Sequence, residues 1–150
     1  MRPAPLDSHI VGVHHVGHVV VDIQEKTKFF RDVLGYSAES ALIHETNQKV
    51  FVRFLRLGEM RLELIAPAAE DSPVQRFLAK GGGLHHICYE SDHLEASVAF
   101  FRKQGWVCTS RVASASIDNC EVAFLAKPES DLIELLEPRS GTRFLPGIEE

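Results

Sequence analysis

No apolar run in this chain approaches the ~20 residues that a helix needs to span a bilayer. The opening MRPAPLDSHI has no apolar signal core, so a soluble, cytoplasmic protein with no membrane association is expected. No block of like charge is present either, and a formal charge of -5 offers a polyanion nothing to hold. Nucleic acid is therefore not expected as a partner. Cysteine is scarce: Cys88, Cys108 and Cys120 are odd in number, widely spaced and form no C-x-x-C, so neither a disulfide framework nor a zinc knuckle follows. What remains is 150 residues, 45% of them hydrophobic, enough for one good core.

What the chain does have is a repeat. HHVGHVVVDI starts at His14 and HHICYESDHL at His85, and a shift of 71 residues superposes them. The same shift lays FFR (Phe29 to Arg31) on Phe100 to Arg102, and LELIAP (Leu62 to Pro67) on IELLEP (Ile133 to Pro138). Three landmarks in one order at one spacing argue for a duplicated unit. The modules run from about 11–67 and 83–138, joined by a linker over 68–82. In each, a strand-like run leads to an Asp with a Glu three residues on (Asp22 and Glu25, Asp92 and Glu95), a capping-box pattern for a helix that stops at Gly35 or Gly105. KVFVRFLRL and MRLELIA follow in the first module, CEVAFLAK and DLIELLE in the second, all strand-like. The fold expected is α+β, with two tandem β-α-β-β-β modules. In the linker, Ser72 with Gln75 and Pro73 between them predict a short helix ending at Gly81. The first nine residues and those after about Arg139 are expected to be mobile arms.

Two strand glutamates need an account. Strand alternation puts Leu62 and Leu64 on one face and Glu63 on the other, and Ile133 and Leu135 opposite Glu134 in the same way. A mid-strand carboxylate is costly unless solvated, paired or bound to a cation. If a pseudo-twofold axis relates the modules, His15 and Glu63 can meet His86 and Glu134, giving N and O ligands for one divalent ion per chain, such as Co, Ni, Mn, Zn or Mg. Simpler readings compete: a strand histidine is usually a satisfied core or surface residue, and LEL is usually a solvated amphipathic strand. Alternation also sends His14 and His85 to the wrong side, and His14 with His18 forms a rival pair on one face.

With these residues in place, the chain resembles the vicinal oxygen chelate superfamily, which includes glyoxalase I and the extradiol dioxygenases, and within it the methylmalonyl-CoA epimerase branch. The resemblance covers about Val13 to Pro138, and DSPVQRFL running through glycines into GLHHI is its most specific part. It implies a U-shaped, partly open mixed sheet, with His15, Glu63, His86 and Glu134 as metal ligands. It also implies α-proton abstraction from an acyl-CoA thioester with metal stabilisation of the enolate, and Glu134 as one catalytic base. Sheet edges left open in such proteins tend to be covered by a second chain, so a homodimer is expected. Where such epimerases carry a loop glutamate, this chain has HETNQKV, with Asn47 at the aligned position and Glu45 two residues earlier as the candidate for the second base. KPESD and VASASIDNCE replace the family's glycine-containing turns. Two alternatives stay open: another metal-dependent lyase, isomerase or dioxygenase, with a glyoxalase I-like lactoylglutathione lyase foremost, and a metal-free small-molecule binding protein.

Overall fold

A computed structural model describes residues 7–138; the arm expected after about Arg139 lies outside them. The chain runs β1 (Ile10–Val19), α1 (Ile23–Asp32), β2 (Ser37–Ala38), β3 (Ile43–Glu45), β4 (Val50–Leu57), β5 (Met60–Pro67) and α2 (Gln75–Ala79). It continues with β6 (Gly83–Ser91), α3 (Leu94–Lys103), β7 (Val107–Ser114), a 3-10 turn at Ala115–Ile117, β8 (Cys120–Ala126) and β9 (Leu132–Leu136). The described strands form one sheet in the order β2-β4-β5-β1-β6-β9-β8-β7, with β3 also on β4. The α+β architecture of two tandem modules is the one the sequence leads to. Its halves meet where β1 and β6 pair antiparallel, while β1 runs parallel to β5 and β6 parallel to β9. Gly17 lies beside Glu63 as Cys88 lies beside Glu134, so the 71-residue repeat is a pseudo-twofold of the fold.

Strand alternation decides which residues fill which core. Leu62 and Leu64 pack with Ile23 and Phe30 under α1, and Ile133 and Leu135 pack with Leu94 and Val98 under α3. The other face closes on a third cluster drawn from both modules, in which Val50, Val52, Phe54 and Ile65 meet Cys88, Val122 and Leu136. Burial of this shared face is what joins the two repeats into one body. Glu63 and Glu134 stand on that face.

Several local expectations are corrected. Module one breaks its first post-helix strand into β2 and β3, both on β4, where Ser40 Oγ accepts from Phe54 N at 2.9 Å and occupies the ladder. Asp22 caps α1 as expected, accepting from Glu25 N at 3.0 Å. In α3 the cap is His93, whose Nδ1 accepts from Ala96 N at 3.2 Å, because Asp92 is drawn to His9 Nδ1 at 2.8 Å. That pair, with Ser97 Oγ donating to Ser8 O at 2.6 Å, also ties down residues expected to belong to a mobile N-terminal arm. In the linker, the Gln75 side chain donates to Ala69 O instead of reaching back to Ser72, so no capping box forms; Val74 is the N-cap and α2 stops at Ala79. No helix among the described residues is long and apolar enough to cross a membrane.

Candidate metal centre

The site begins with two slips in register. Along β1 and β6, Val13 opposite Tyr89 is followed by His15 opposite Cys88, and Gly17 opposite His86 is followed by His18 opposite Leu84. His14 and His85 are the residues left over. A bulge re-aims side chains that strict alternation would send to opposite faces. The expectation that His14 and His85 point to the wrong side is thereby corrected: His14 Nδ1 lies 2.8 Å from His15 Nδ1, and His85 Nδ1 lies 2.8 Å from His86 Nδ1. The rival pair of His14 with His18 does not form, because His18 lies edge-on to Phe30 at 5.7 Å.

Beyond these contacts the far nitrogens of His15 and His86 converge. His15 Nε2 is 3.3 Å from His86 Nε2, 3.0 Å from Glu134 Oε1 and 3.6 Å from Glu63 Oε1. His86 Nε2 is 3.5 Å from Glu134 Oε1 and 3.7 Å from Glu63 Oε1. All four side chains are buried. Ligands ~2.1 Å from a divalent ion stand about 3.0 Å apart at a right angle and about 3.4 Å apart at the tetrahedral angle. His15, Glu63 and His86 offer ligand atoms within 4.8 Å of one another, and Glu134 Oε1 lies within 3.5 Å of both histidine nitrogens, a spacing suited to one cation. Glu134 Oε1 adds a second sign of fit: it is fully buried and, despite the nearby His15 nitrogen, has no hydrogen-bond partner of acceptable geometry. A buried carboxylate oxygen left in that state calls for a charge to satisfy it.

Electrostatics link the four groups. Burial by itself would lower the pKa of His15, yet Cys88, Glu63 and Glu134 reverse this and hold it well above the ordinary imidazole value. Burial pushes Cys88 far up, so it stays a neutral thiol, and the negative charge that retains the His15 proton belongs to the carboxylates. Burial likewise opposes ionisation of Glu134, but the adjoining His15 and His86 rings outweigh it and keep its carboxyl well below the usual carboxylate range. Burial, then the neighbouring His15 and Arg61, drives His14 down to about 3. Burial, then His86, takes His85 to about 4.

Three further residues shape the site. Phe54 supports the His15 ring edge-on at 5.4 Å and Phe124 supports His86 at 5.6 Å; they stand opposite Glu63 and Glu134 on the neighbouring strands. A Cβ on Gly17 would lie 2.2 Å from His86 Cε1, so the absence of a side chain there is what lets the ring lie across β1. A glycine two residues after His15 was the available signal. Glu45 takes another place: buried, it accepts from Ser114 Oγ at 3.0 Å, Ala115 N at 3.0 Å and Ser116 N at 2.5 Å, bridging the two modules. The structure brings His15, Glu63, His86 and Glu134 together and does not place Glu45 among the residues that line the cleft. That cleft, of about 430 Å³, is walled by Glu63, His86 and His85, with Phe124, Leu132 and Val112 as apolar lining and Asn47, Lys49, Thr109 and Ser110 as polar lining.

Residues 14–124 match the family model of the glyoxalase/bleomycin resistance protein/dioxygenase superfamily. The chain belongs to that superfamily. It is 37% identical over 94 residues to the mitochondrial methylmalonyl-CoA epimerase of Mus musculus, an alignment covering 61% of the chain and 52% of that protein. The chain thus spans about half the length of the mouse enzyme. A Bacillus subtilis protein of uncharacterised function, YqjC, is 34% identical over 131 residues, covering 83% of the chain and 91% of its own length. Among solved structures, the methylmalonyl-CoA epimerase of Mycobacterium tuberculosis superposes with a TM-score of 0.73 at 28% identity, over 92% of this chain and 93% of that one.

Proposed function

We propose that this glyoxalase-superfamily protein is a metal-dependent epimerase that inverts the α-carbon of a 2-substituted acyl-CoA thioester such as methylmalonyl-CoA. The observation that carries the reading is the pair of carboxylates, Glu63 and Glu134, related by the pseudo-twofold and flanking His15 and His86 beside a cleft that Glu63 and His86 line. His15, Glu63, His86 and Glu134 would hold a divalent cation, which when bound would supply Lewis-acid stabilisation of the charge that develops on a carbonyl oxygen when the neighbouring carbon loses its proton. Everything else falls to the chain. On this reading the α-carbon would sit near the pseudo-twofold with Glu63 to one side and Glu134 to the other, as inversion requires. One glutamate, ionised, takes the α-proton and keeps it, the electron pair moves into the carbonyl, and the other glutamate, protonated from solvent beforehand, gives its proton to the opposite face and is left ionised; proton exchange of both carboxyls with solvent resets the pair. Glu63 lines the cleft, so we assign it the second-base role; Glu45, which accepts from Ser114, Ala115 and Ser116, is the other candidate, and Glu45→Gln decides between them. Phe124, Leu132 and Val112 give the cleft an apolar wall, and the sequence identity with epimerases supports an acyl-CoA thioester as substrate.

The test is exchange of the α-proton of methylmalonyl-CoA with solvent deuterium, in protein loaded with Co or Mn and with metal content measured alongside. Wild type should exchange and invert. Glu63→Gln and Glu134→Gln that still hold metal should each exchange only one enantiomer and fail to invert. If no acyl thioester exchanges, the epimerase reading falls. The two-histidine, two-carboxylate set equally suits a glyoxalase I-like isomerisation of a glutathione hemithioacetal, so lactoylglutathione formation is the second assay. We further propose a homodimer, supported by Val11 and Val13 on β1 and Leu84 and Ile87 on β6, which are exposed apolar residues.

A further inference from the structure

The metal reading leaves unexplained why each module opens on two histidines when one would ligate. In both modules the first histidine is the bulge residue, its Nδ1 is 2.8 Å from Nδ1 of the second, and the rings are 5.1 Å apart and nearly perpendicular, at 79° and 84°. Geometry kept through a duplication is hard to ascribe to packing, since the surroundings differ. His14 is sealed in the interior beneath Arg61, whose Nη1 donates to the His14 carbonyl at 3.4 Å, whereas His85 lines the cleft and packs edge-on against Phe77 at 4.8 Å.

Two imidazole nitrogens at that separation share one proton, so one ring donates and the other accepts. If His14 donated, the neutral His15 ring would carry its proton on Nε2, the atom that faces Glu134, and could not ligate there. If His15 donates, its Nε2 lone pair is free. The same holds for His86 and His85. We propose that His14 and His85 are positioning residues: each accepts the Nδ1–H of the following histidine, fixing the tautomer and ring orientation that present Nε2 to a divalent cation. This rests on the metal-site reading above and extends it outward by one layer, where partners of ligating histidines raise ligand basicity.

The experiment replaces the acceptor in two ways. Asparagine offers an oxygen near the place of Nδ1, and leucine offers none. His85→Leu and His14→Leu should weaken Co binding, followed by titration and by the ligand-field absorption of bound Co, by about 10–100-fold, with His85→Asn and His14→Asn restoring most of the loss. Because His14 is buried and its leucine variant could misfold, the pair at His85, on the cleft wall, decides independently. In the metal-free wild type, at a pH high enough that each ring of the pair carries at most one proton, nitrogen NMR should show Nδ1 of His15 and His86 protonated and Nδ1 of His14 and His85 bare. Bare Nδ1 on His15 and His86 would overturn the proposal, as would leucine and asparagine variants that bind Co alike. Wild type that binds no Co at all defeats the metal reading itself, and the NMR result still decides the tautomers.

Discussion

Gly17→Ala gives the sharpest quantitative test of the site, because it alters no ligand. The new Cβ would lie 2.2 Å from His86 Cε1, 2.6 Å from Nδ1 and 2.8 Å from Nε2. Ordinary carbon contact begins near 3.4 Å, so the ring must withdraw by about 1 Å, several times the ~0.2 Å tolerance of a metal–ligand bond. His86 should leave the coordination set, weakening the cation by at least the ~10–100-fold typical of lost ligand support. At a metal concentration of about 100 Kd, wild type should gain about 2.7 kcal/mol, or roughly 5–10 °C in Tm for a chain of this size. The variant at the same concentration should gain only about 0.4–1.4 kcal/mol. Overpacking should separately lower the metal-free stability by about 1–3 kcal/mol. Gly12→Ala on the same strand is the control, since a Cβ there meets nothing within 4 Å, and it should leave both quantities unchanged. Titration calorimetry with Mn or Co, paired with thermal melts, reads both effects. Wild-type affinity in Gly17→Ala would refute the steric reasoning.

Glu45→Ala should destabilise the fold by about 3 kcal/mol in denaturant melts, because it strips the acceptor from three buried or partly buried donors. Glu45→Gln should retain α-proton exchange and inversion; loss of inversion with exchange intact would return the second-base role to this residue. Lowering pH should destabilise the metal-free protein through His14. Its pKa is about 3 when folded against 6.5 in the open chain, so the unfolded state binds more protons between those values, and stability falls as pH drops through that window. The slope from this group is at most ~1.4 kcal/mol per pH unit, and His14→Leu should flatten acid melts by that amount. Sedimentation at micromolar concentration should give twice the chain mass; a monomer would dismiss the dimer.

The duplication was legible in the residues. A constant shift of 71 residues carries His15 to His86 and Glu63 to Glu134, and with strand alternation it was enough to identify two modules, their helices and the four groups that converge. Alternation works for Glu63 and Glu134 because β5 and β9 pair with β1 and β6 without slipping. It fails for His14 and His85 because a bulge is decided by two strands together, and no single strand records which residue its partner will skip. Asp92 and Ser72 failed as caps for a related reason: their partners, His9 for one and a turn through Ala69 for the other, are set by where distant or looping chain comes to rest. Glu45 shows the same limit. Sequence placed a carboxylate near the expected base, and only the meeting of β3 with the turn at Ala115–Ile117 spent both its oxygens on backbone and hydroxyl donors of the other module. Composition and periodicity thus fix what each segment must bury, whereas register across the β1 and β6 junction, a property of pairs of strands, determines which of the buried polar groups face one another.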